Sequence, residues 1–419
     1  MVGRAVDFQH RLRVLRGRGR QSHANRVPIL MTPAARLSAA IEVLDRILAG
    51  APVEQTLVNW GRANRYAGSG DRHAIGDLVF DGLRNRRSHA ALGGGLTGRG
   101  LVLGGVRADG RDPAELFTGI GHAPPLVGPQ EGGRTPHGAE ALDVPDWLEA
   151  GLRASLGAEY EATMAAMRRR APVFLRVNLA RISRDDAMLR LAGEGIAAVA
   201  HPLASSALQV TGGERKIQMS PSYAEGLIEL QDASSQAIVD VLDLRPGMWV
   251  LDYCAGGGGK TLAMAARGVA LHAHDISAAR MKDLPDRAKR AGADVEIVQD
   301  PTKSAPYDLI LIDAPCSGSG SWRRDPQGKW LLTADRLAGL LRVQADILDR
   351  SATLLQTKGT LAYATCSFLR EENEAMVAAF LQRHPEFRVT LQRRFGPLQG
   401  GDGFFVALLT RADAATTQL

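Results

Sequence analysis

The run WVLDYCAGGGGKT (249–261) passes from an apolar strand into four successive glycines and then into helix-forming residues. Strand, glycine turn and helix in that order open an α/β sheet, with the loop at the strand's carboxyl end, where such sheets collect ligands. The pattern repeats downstream. Strands are predicted at 270–274, 295–298, 308–312 and 360–363, and their ends carry Asp275, Asp300, Asp313 and Thr365-Cys366. The polar residues thus gather on one edge of a parallel sheet. Cys316, in DAPCSGSG (313–320), and Cys366, in ATCSF (364–368), each follow such a strand. A ligand loop and two thiols on one edge point to covalent chemistry on a carbon that a simple base cannot activate.

The loop itself excludes two ligands. A phosphate-binding P-loop needs Gly at 254, where this chain has Cys, and a dinucleotide fingerprint would put its third glycine on Thr261. A plain tight turn is the bland alternative. Asp275, nineteen residues beyond Gly256, favours a ligand, because a carboxylate there can accept from both ribose hydroxyls of an adenosine. Asp300 at the third strand end is a candidate for the adenine amino group. Either Asp can equally serve as a helix cap. A nucleoside without a pyrophosphate fits this loop, which selects S-adenosylmethionine.

Working outward, residues 145–170 read as a helix, 173–178 as a strand, 183–193 as a helix and 207–210 as a strand, a small α+β unit. Residues 32–91 are helical: Leu37, Ile41, Leu44 and Leu48 form one apolar stripe, a second helix opens at Pro52, and a third begins at Asp71. The stretch 92–140 is glycine-rich and ends in a Pro/Gly segment, 123–138, that reads as a linker. The expected divisions are a basic tail (1–30), a helical unit (31–140), a small α+β unit (141–230) and an α/β domain (231–412).

The 419 residues carry a net charge of +6, all of it accounted for by the seven Arg and one Asp of residues 1–30. Nucleic-acid binding must therefore rest on local clusters. The candidates are Arg84, Arg86 and Arg87; Arg168–Arg170; Arg323 and Arg324; and Arg393 and Arg394. Thr32-Pro33 is a good helix start, so residues 1–30 are either a mis-assigned gene start ahead of Met31 or a basic arm. Three cysteines without paired spacing exclude a disulfide framework and indicate a reducing, cytoplasmic setting. No Cys/His set has metal-ligand spacing, and no apolar run spans a membrane.

The runs LDYCAGGGGKT, LIDAPCSGSGSWRRDPQGKW (311–330), AYATCSFLREENE (362–374) and ELQDASSQ (229–236) resemble the RsmB/Sun family of RNA cytosine-5 methyltransferases. The resemblance covers about 145–410, and 31–91 is similar to the NusB-like RNA-binding domain of the RsmB branch. It implies a multidomain chain: an all-α NusB-like domain, an RRM-like α+β domain and a Rossmann-like class I methyltransferase domain. It also implies cofactor contacts from Cys254, Ala255, Gly256, Gly257, Gly258, Gly259, Lys260, Asp275, Asp300 and Asp313. Cys366 would be the nucleophile and Cys316 would assist product release; spacing alone does not say which thiol attacks. Asp313 would hold the base edge and Lys260 would orient Asp313 or favour a thiolate. The expected partner is RNA, ribosomal RNA of the small subunit above transfer RNA, bound by a monomer. The family loop usually has Pro where this chain has Gly257, which predicts a more flexible loop. A DNA cytosine-5 methyltransferase and a non-catalytic assembly factor are the competing readings. The Thr-Cys-Ser loop argues against the first, and the intact Asp275, Asp313, Cys316 and Cys366 against the second.

Overall fold

A computed structural model describes residues 31–412; the two readings of 1–30 lie outside the described residues. Five helices form the first unit: α1 (Pro33–Leu48), α2 (Val53–Ala63), α3 (Ser69–Arg84), α4 (Arg86–Gly93) and α5 (Gly98–Ala108). Thr32 caps α1 by accepting from the Ala35 amide, with Pro33 at the first helical position. Asp71 lies inside the first turn of α3, where it accepts from the Gly68 amide and pairs with Arg36. The apolar stripes of α1, α3 and α5 meet around Leu44, Ile75, Val79, Leu101 and Leu103.

The glycine-rich stretch is more ordered than its composition suggests. A Cβ on Gly93 would lie 1.8 Å from the Gly100 carbonyl oxygen, and one on Gly104 1.9 Å from that of His89. These glycines let α4 and α5 pack backbone to backbone. The 123–138 segment is a strap across that pair, which corrects its reading as a linker. Arg99 pairs with Glu131 and donates to the Pro125 and Leu126 carbonyls, while the Arg134 amide donates to Ala91. The helix predicted over 145–170 is two helices, 146–156 and 160–167, broken where Gly157 takes φ 55°.

The second unit holds β1 (Phe174–Val177), β2 (Ala197–Ala200), β3 (Ala207–Gly212) and β4 (Ile228–Leu230), antiparallel in the order β2-β3-β1-β4. The third holds β5 (Trp249–Asp252), β6 (Ala270–Ala273), β7 (Glu296–Ile297), β8 (Tyr307–Asp313), β9 (Leu355–Thr365), β10 (Phe387–Phe395) and β11 (Phe404–Arg411). Their order is β10-β11-β9-β8-β5-β6-β7. Strands β5 to β9 are parallel, and β11 runs antiparallel to β9 and β10. Two apolar clusters, one holding Val250, Leu309 and Leu311 and the other Leu251, Ile310 and Ile312, cover the two faces, as alternation along the strands requires. The chain leaves β5 for β6 on one side and reaches β8 on the other. That reversal opens a crevice at the carboxyl ends of β5 and β8.

Candidate active site

The glycine loop lies in this crevice. Gly258 takes φ 81°, and a Cβ there would meet Leu284 Cδ1 at 2.2 Å, so any other residue would be strained and would displace Leu284. Around the loop is a cavity of about 350 Å³ lined by Gln231, Asp252, Cys254–Gly257, Gly259, Lys260, Arg280, Arg287 and Asp313, among others. The loop is braced rather than loose at Gly257. Arg287 donates to the Gly257 carbonyl while its Nε pairs with Glu229 at 3.0 Å, and Arg176 donates to the Gly259 carbonyl. Glu229 and Arg176 come from the small sheet, so the second unit holds the loop of the third.

The acidic residues divide. Asp275 is buried, and its oxygens accept from the amides of Gly256 (3.0 Å) and Ser277 (2.9 Å), so the carboxylate shapes the loop from beneath. Asp300 is exposed, caps the turn at 301–303 through Thr302, and does not line the cavity. Those bonds from Thr302 hold its carboxyl below the usual range. Asp252, which the sequence reading passed over, lines the cavity. Its Oδ2 accepts from Thr261 Oγ1 at 2.7 Å, while its buried Oδ1 has no partner among the described residues. Burial pushes it up to about 7, with the Asp313 charge adding to that. Its signal was the strand-final acid immediately before the loop. An orphaned carboxylate oxygen and a second carboxylate at Asp313 in one polar cavity suit a cationic nucleoside, which is the chemistry of S-adenosylmethionine.

Lys260 and Asp313 connect this cavity to the sulfurs. Lys260 Nζ meets Asp313 Oδ2 at 2.8 Å. Burial alone would lower the ammonium, but the Asp313 carboxylate outweighs it and raises it. The two cysteine loops meet beyond, with Cys316 Sγ 3.4 Å from Cys366 Sγ. Their surroundings differ. Either sulfur can donate in this contact; with Cys316 as the donor, Cys366 is lowered against burial and the Asp313 charge, helped by Lys260 and by Ser321 Oγ at 4.0 Å. The same hydrogen bond, burial and the Glu372 charge raise Cys316. The arrangement therefore supports a thiolate on Cys366 beside a thiol on Cys316. Burial raises Cys254, within the glycine loop, and leaves it a neutral thiol.

Of the arginines predicted to meet RNA, Arg84 and Arg323 are buried and Arg86 and Arg87 half-buried on internal partners, which corrects their reading as a free basic surface, whereas Arg324, Arg169, Arg170 and Arg393 are exposed. Arg84 is buried and donates to the Arg323 carbonyl at 2.9 Å; Arg86 lies over the Trp330 ring; Arg87 pairs with Asp146. Arg323 is buried against Asp402, and Arg324 pairs with Asp402 and Asp232. Arg168 pairs with buried Asp143, Arg170 with Asp77 and Arg394 with Glu374, while Arg393 lies over the Phe395 ring. Arg84 and Arg86 join the helical unit to the segment after the Cys316 loop. Trp330 Nε1 donates to the Leu83 carbonyl and Gln327 bonds both Ala51 and Val53 in the same contact. Adjacent arginines look alike in sequence whether their counter-charge is a phosphate or a distant Asp.

The sheet order with one reversed strand, the glycine loop after β5 and the nucleoside-sized polar cavity at the switch point define a class I S-adenosylmethionine-dependent methyltransferase. The chain belongs to the RsmB/F family: residues 239–410 match 16S rRNA methyltransferase RsmB/F, and residues 144–215 match the ferredoxin-like domain of the same proteins. It is 34% identical over 297 residues to ribosomal RNA small subunit methyltransferase B of Xanthomonas campestris pv. campestris, covering 65% of this chain and 68% of that one. The namesake of Citrobacter koseri is 36% identical over 284 residues, 64% of this chain and 66% of its own. The chain thus spans about two thirds of the length of these relatives. The crystal structure of PH0851 superposes at a TM-score of 0.70 with 23% identity, over 90% of this chain and 99% of its own, a likeness of fold. Among the described residues no helix is long and apolar enough to cross a membrane, and no group of three or more His, Cys, Asp or Glu side chains is arranged to hold a metal ion.

Proposed function

We propose that this protein methylates C5 of a cytosine in small-subunit ribosomal RNA through a covalent adduct between Cys366 and C6 of the base. The observation that carries this reading is the pair of sulfurs 3.4 Å apart beside the Lys260–Asp313 bridge. Cytosine C5 is a weak nucleophile. Addition of the Cys366 thiolate to C6 makes C5 enamine-like. S-adenosylmethionine, when bound, supplies the electrophilic methyl group; Asp252, Lys260, Asp313 and the loop 254–259 are the residues to hold it, with Asp275 fixing the loop. Asp313 orients the base edge. After methylation the C5 proton must leave and the Cys366–C6 bond must break, with Cys366 departing as thiolate. Cys316, adjacent and protonated at rest, gives its proton to the ring nitrogen as Cys366 adds to C6; the thiolate so formed then accepts the C5 proton while the Cys366–C6 electron pair returns to Cys366, and the ring-nitrogen proton passes to solvent. The target base must be looped out to enter the crevice.

The five-helix unit is read as NusB-like and as the part that selects the RNA, through surfaces other than the arginines used in docking. The protein is read as a monomer working in the reducing cytoplasm. The test is methyl transfer to small-subunit RNA, with bisulfite sequencing of RNA from a deletion strain to locate the base. Cys366→Ala is expected to abolish transfer while cofactor binding survives. Cys316→Ala is expected to accumulate a protein–RNA complex that resists denaturing electrophoresis. Activity of Cys366→Ala within tenfold of wild type would sink the adduct, and trapping by Cys366→Ala instead of Cys316→Ala would reverse the two roles.

A further inference from the structure

Glu372 ends the short turn 370–372 just past the Cys366 loop and is fully buried. Its Oε1 accepts from the Ser317 amide at 2.7 Å and from Gln344 Nε2 at 3.0 Å. Its Oε2 accepts from Ser317 Oγ at 2.5 Å and from Ser367 Oγ. Ser317 follows Cys316 and Ser367 follows Cys366, so one carboxylate holds the residue after each sulfur. Gln344 also donates to the Pro315 carbonyl at 2.9 Å, just before Cys316. Asn373 donates to the Ser367 carbonyl at 2.9 Å and accepts from Thr365 Oγ1 at 2.6 Å, just before Cys366. Both cysteines are therefore fixed on both sides from 372–373 and its partner Gln344.

Burying a carboxylate is expensive even when four neutral donors satisfy it. Apolar packing would hold two loops together at lower cost, but it would supply no charge. The charged and titratable groups around the sulfurs are unevenly placed. Lys260, from the helix 259–265, and Asp313, from the end of β8, act on Cys366; Glu372 acts on Cys316, with Tyr363 of β9 on the same side.

We propose that Glu372 is a positioning residue that sets the spacing of the two sulfurs and divides their roles, its negative charge keeping Cys316 a thiol while Lys260 favours the thiolate on Cys366. The inference rests on the covalent reading above, yet its test does not need RNA. Cys316 and Cys366 of the full chain are alkylated with iodoacetamide across about pH 6 to 10, a range that brackets the ordinary thiol, and each is followed by its own peptide. In the wild type Cys366 is expected to react at lower pH than Cys316. In Glu372→Gln the Cys316 midpoint is expected to fall by about one unit or more, as removal of a like charge requires, closing the gap. Methyl transfer is expected to drop about tenfold to a hundredfold with cofactor affinity unchanged. Glu372→Asp returns the charge and is expected to reopen the gap. An unchanged gap in Glu372→Gln, or Asp behaving as Gln, overturns the division of roles. If Gln at 372 does not fold, Ser317→Ala keeps the charge and removes the Oγ bond to Glu372 along with those to Ser367 Oγ and the Ser319 amide; the gap must then persist while kcat falls, and an unaltered kcat overturns the positioning. Failure of the covalent reading would appear separately, as methyl transfer retained by Cys366→Ala.

Discussion

Lys260 and Lys329 are both buried, and their surroundings give them opposite characters. Lys260 meets a carboxylate at 2.8 Å and is raised. Lys329, on the helix 326–331 against the five-helix unit, donates among the described residues to the Arg84 carbonyl and lies 4.5 Å from the Trp330 ring centroid. Burial lowers it to about 8, with nearby Asp143 opposing and Arg168, Arg84 and Arg86 adding to the fall. A buried ammonium with its own counter-charge can act on a neighbouring sulfur. One held by a carbonyl and a ring serves to fasten two parts of the chain. The first region is built for chemistry and the second for docking, although both were basic residues in polar runs when read from the sequence.

The comparison is sharpest at Lys260. Lys260→Met is expected to reduce methyl transfer about a thousandfold, since an electrostatic partner is lost inside a site shielded from water, and to shift alkylation of Cys366 to higher pH. Lys329→Met is expected to leave kcat unchanged. A kcat loss at 329 equal to that at 260 would erase the distinction. Next in size is Trp330→Ala, which removes the hydrogen bond to Leu83 and the Arg86 contact. It is expected to cost about 3 kcal/mol, measured as loss of stability in urea, with the cofactor affinity of the folded protein retained.

Lys329 also carries a pH signature. The unfolded chain keeps this proton to about 10.5, whereas the docked side chain gives it up near 8. Between these values the unfolded state binds more protons, so stability rises with pH, by up to about 3 kcal/mol across the window. Lys329→Met should abolish that rise; a rise that persists in the variant would place its origin elsewhere. The smallest effect concerns Asp252, raised from 3.8 to about 7. Across that window the folded state holds a proton that the unfolded state has lost, so ionising Asp252 erodes stability as pH rises. A cationic ligand favours the ionised form, so S-adenosylmethionine affinity should climb towards pH 7. Asp252→Asn should weaken binding about tenfold, the worth of one charge-assisted hydrogen bond, and flatten the climb. Calorimetry at several pH values measures both.

Much of the site was legible because it is built from local signals. Short apolar runs gave β5, β6, β8 and β9, and the ligand loop and the two cysteine loops follow β5, β8 and β9. The glycine loop could be read because a positive φ and a close approach at Gly258 favour glycine there. Glu372, Glu229 and the orphaned oxygen of Asp252 were not legible, since each acquires its meaning from atoms that lie far along the chain or from a bond not made.

The sequence by itself determined the strand and helix pattern, the edge on which the polar residues gather and the two cysteines that meet there. Period and turn chemistry act over a few residues and leave their mark in the order of the letters. Only the tertiary structure decided which charges are consumed. It turned Arg84 and Arg323 into internal braces, took Asp300 out of the cavity as a turn cap, drew the 123–138 segment across α4 and α5, and set Glu372 behind one sulfur and Lys260 beside the other. A charged side chain takes its role from the counter-charge and burial it meets, and both are supplied by residues tens to hundreds of positions away.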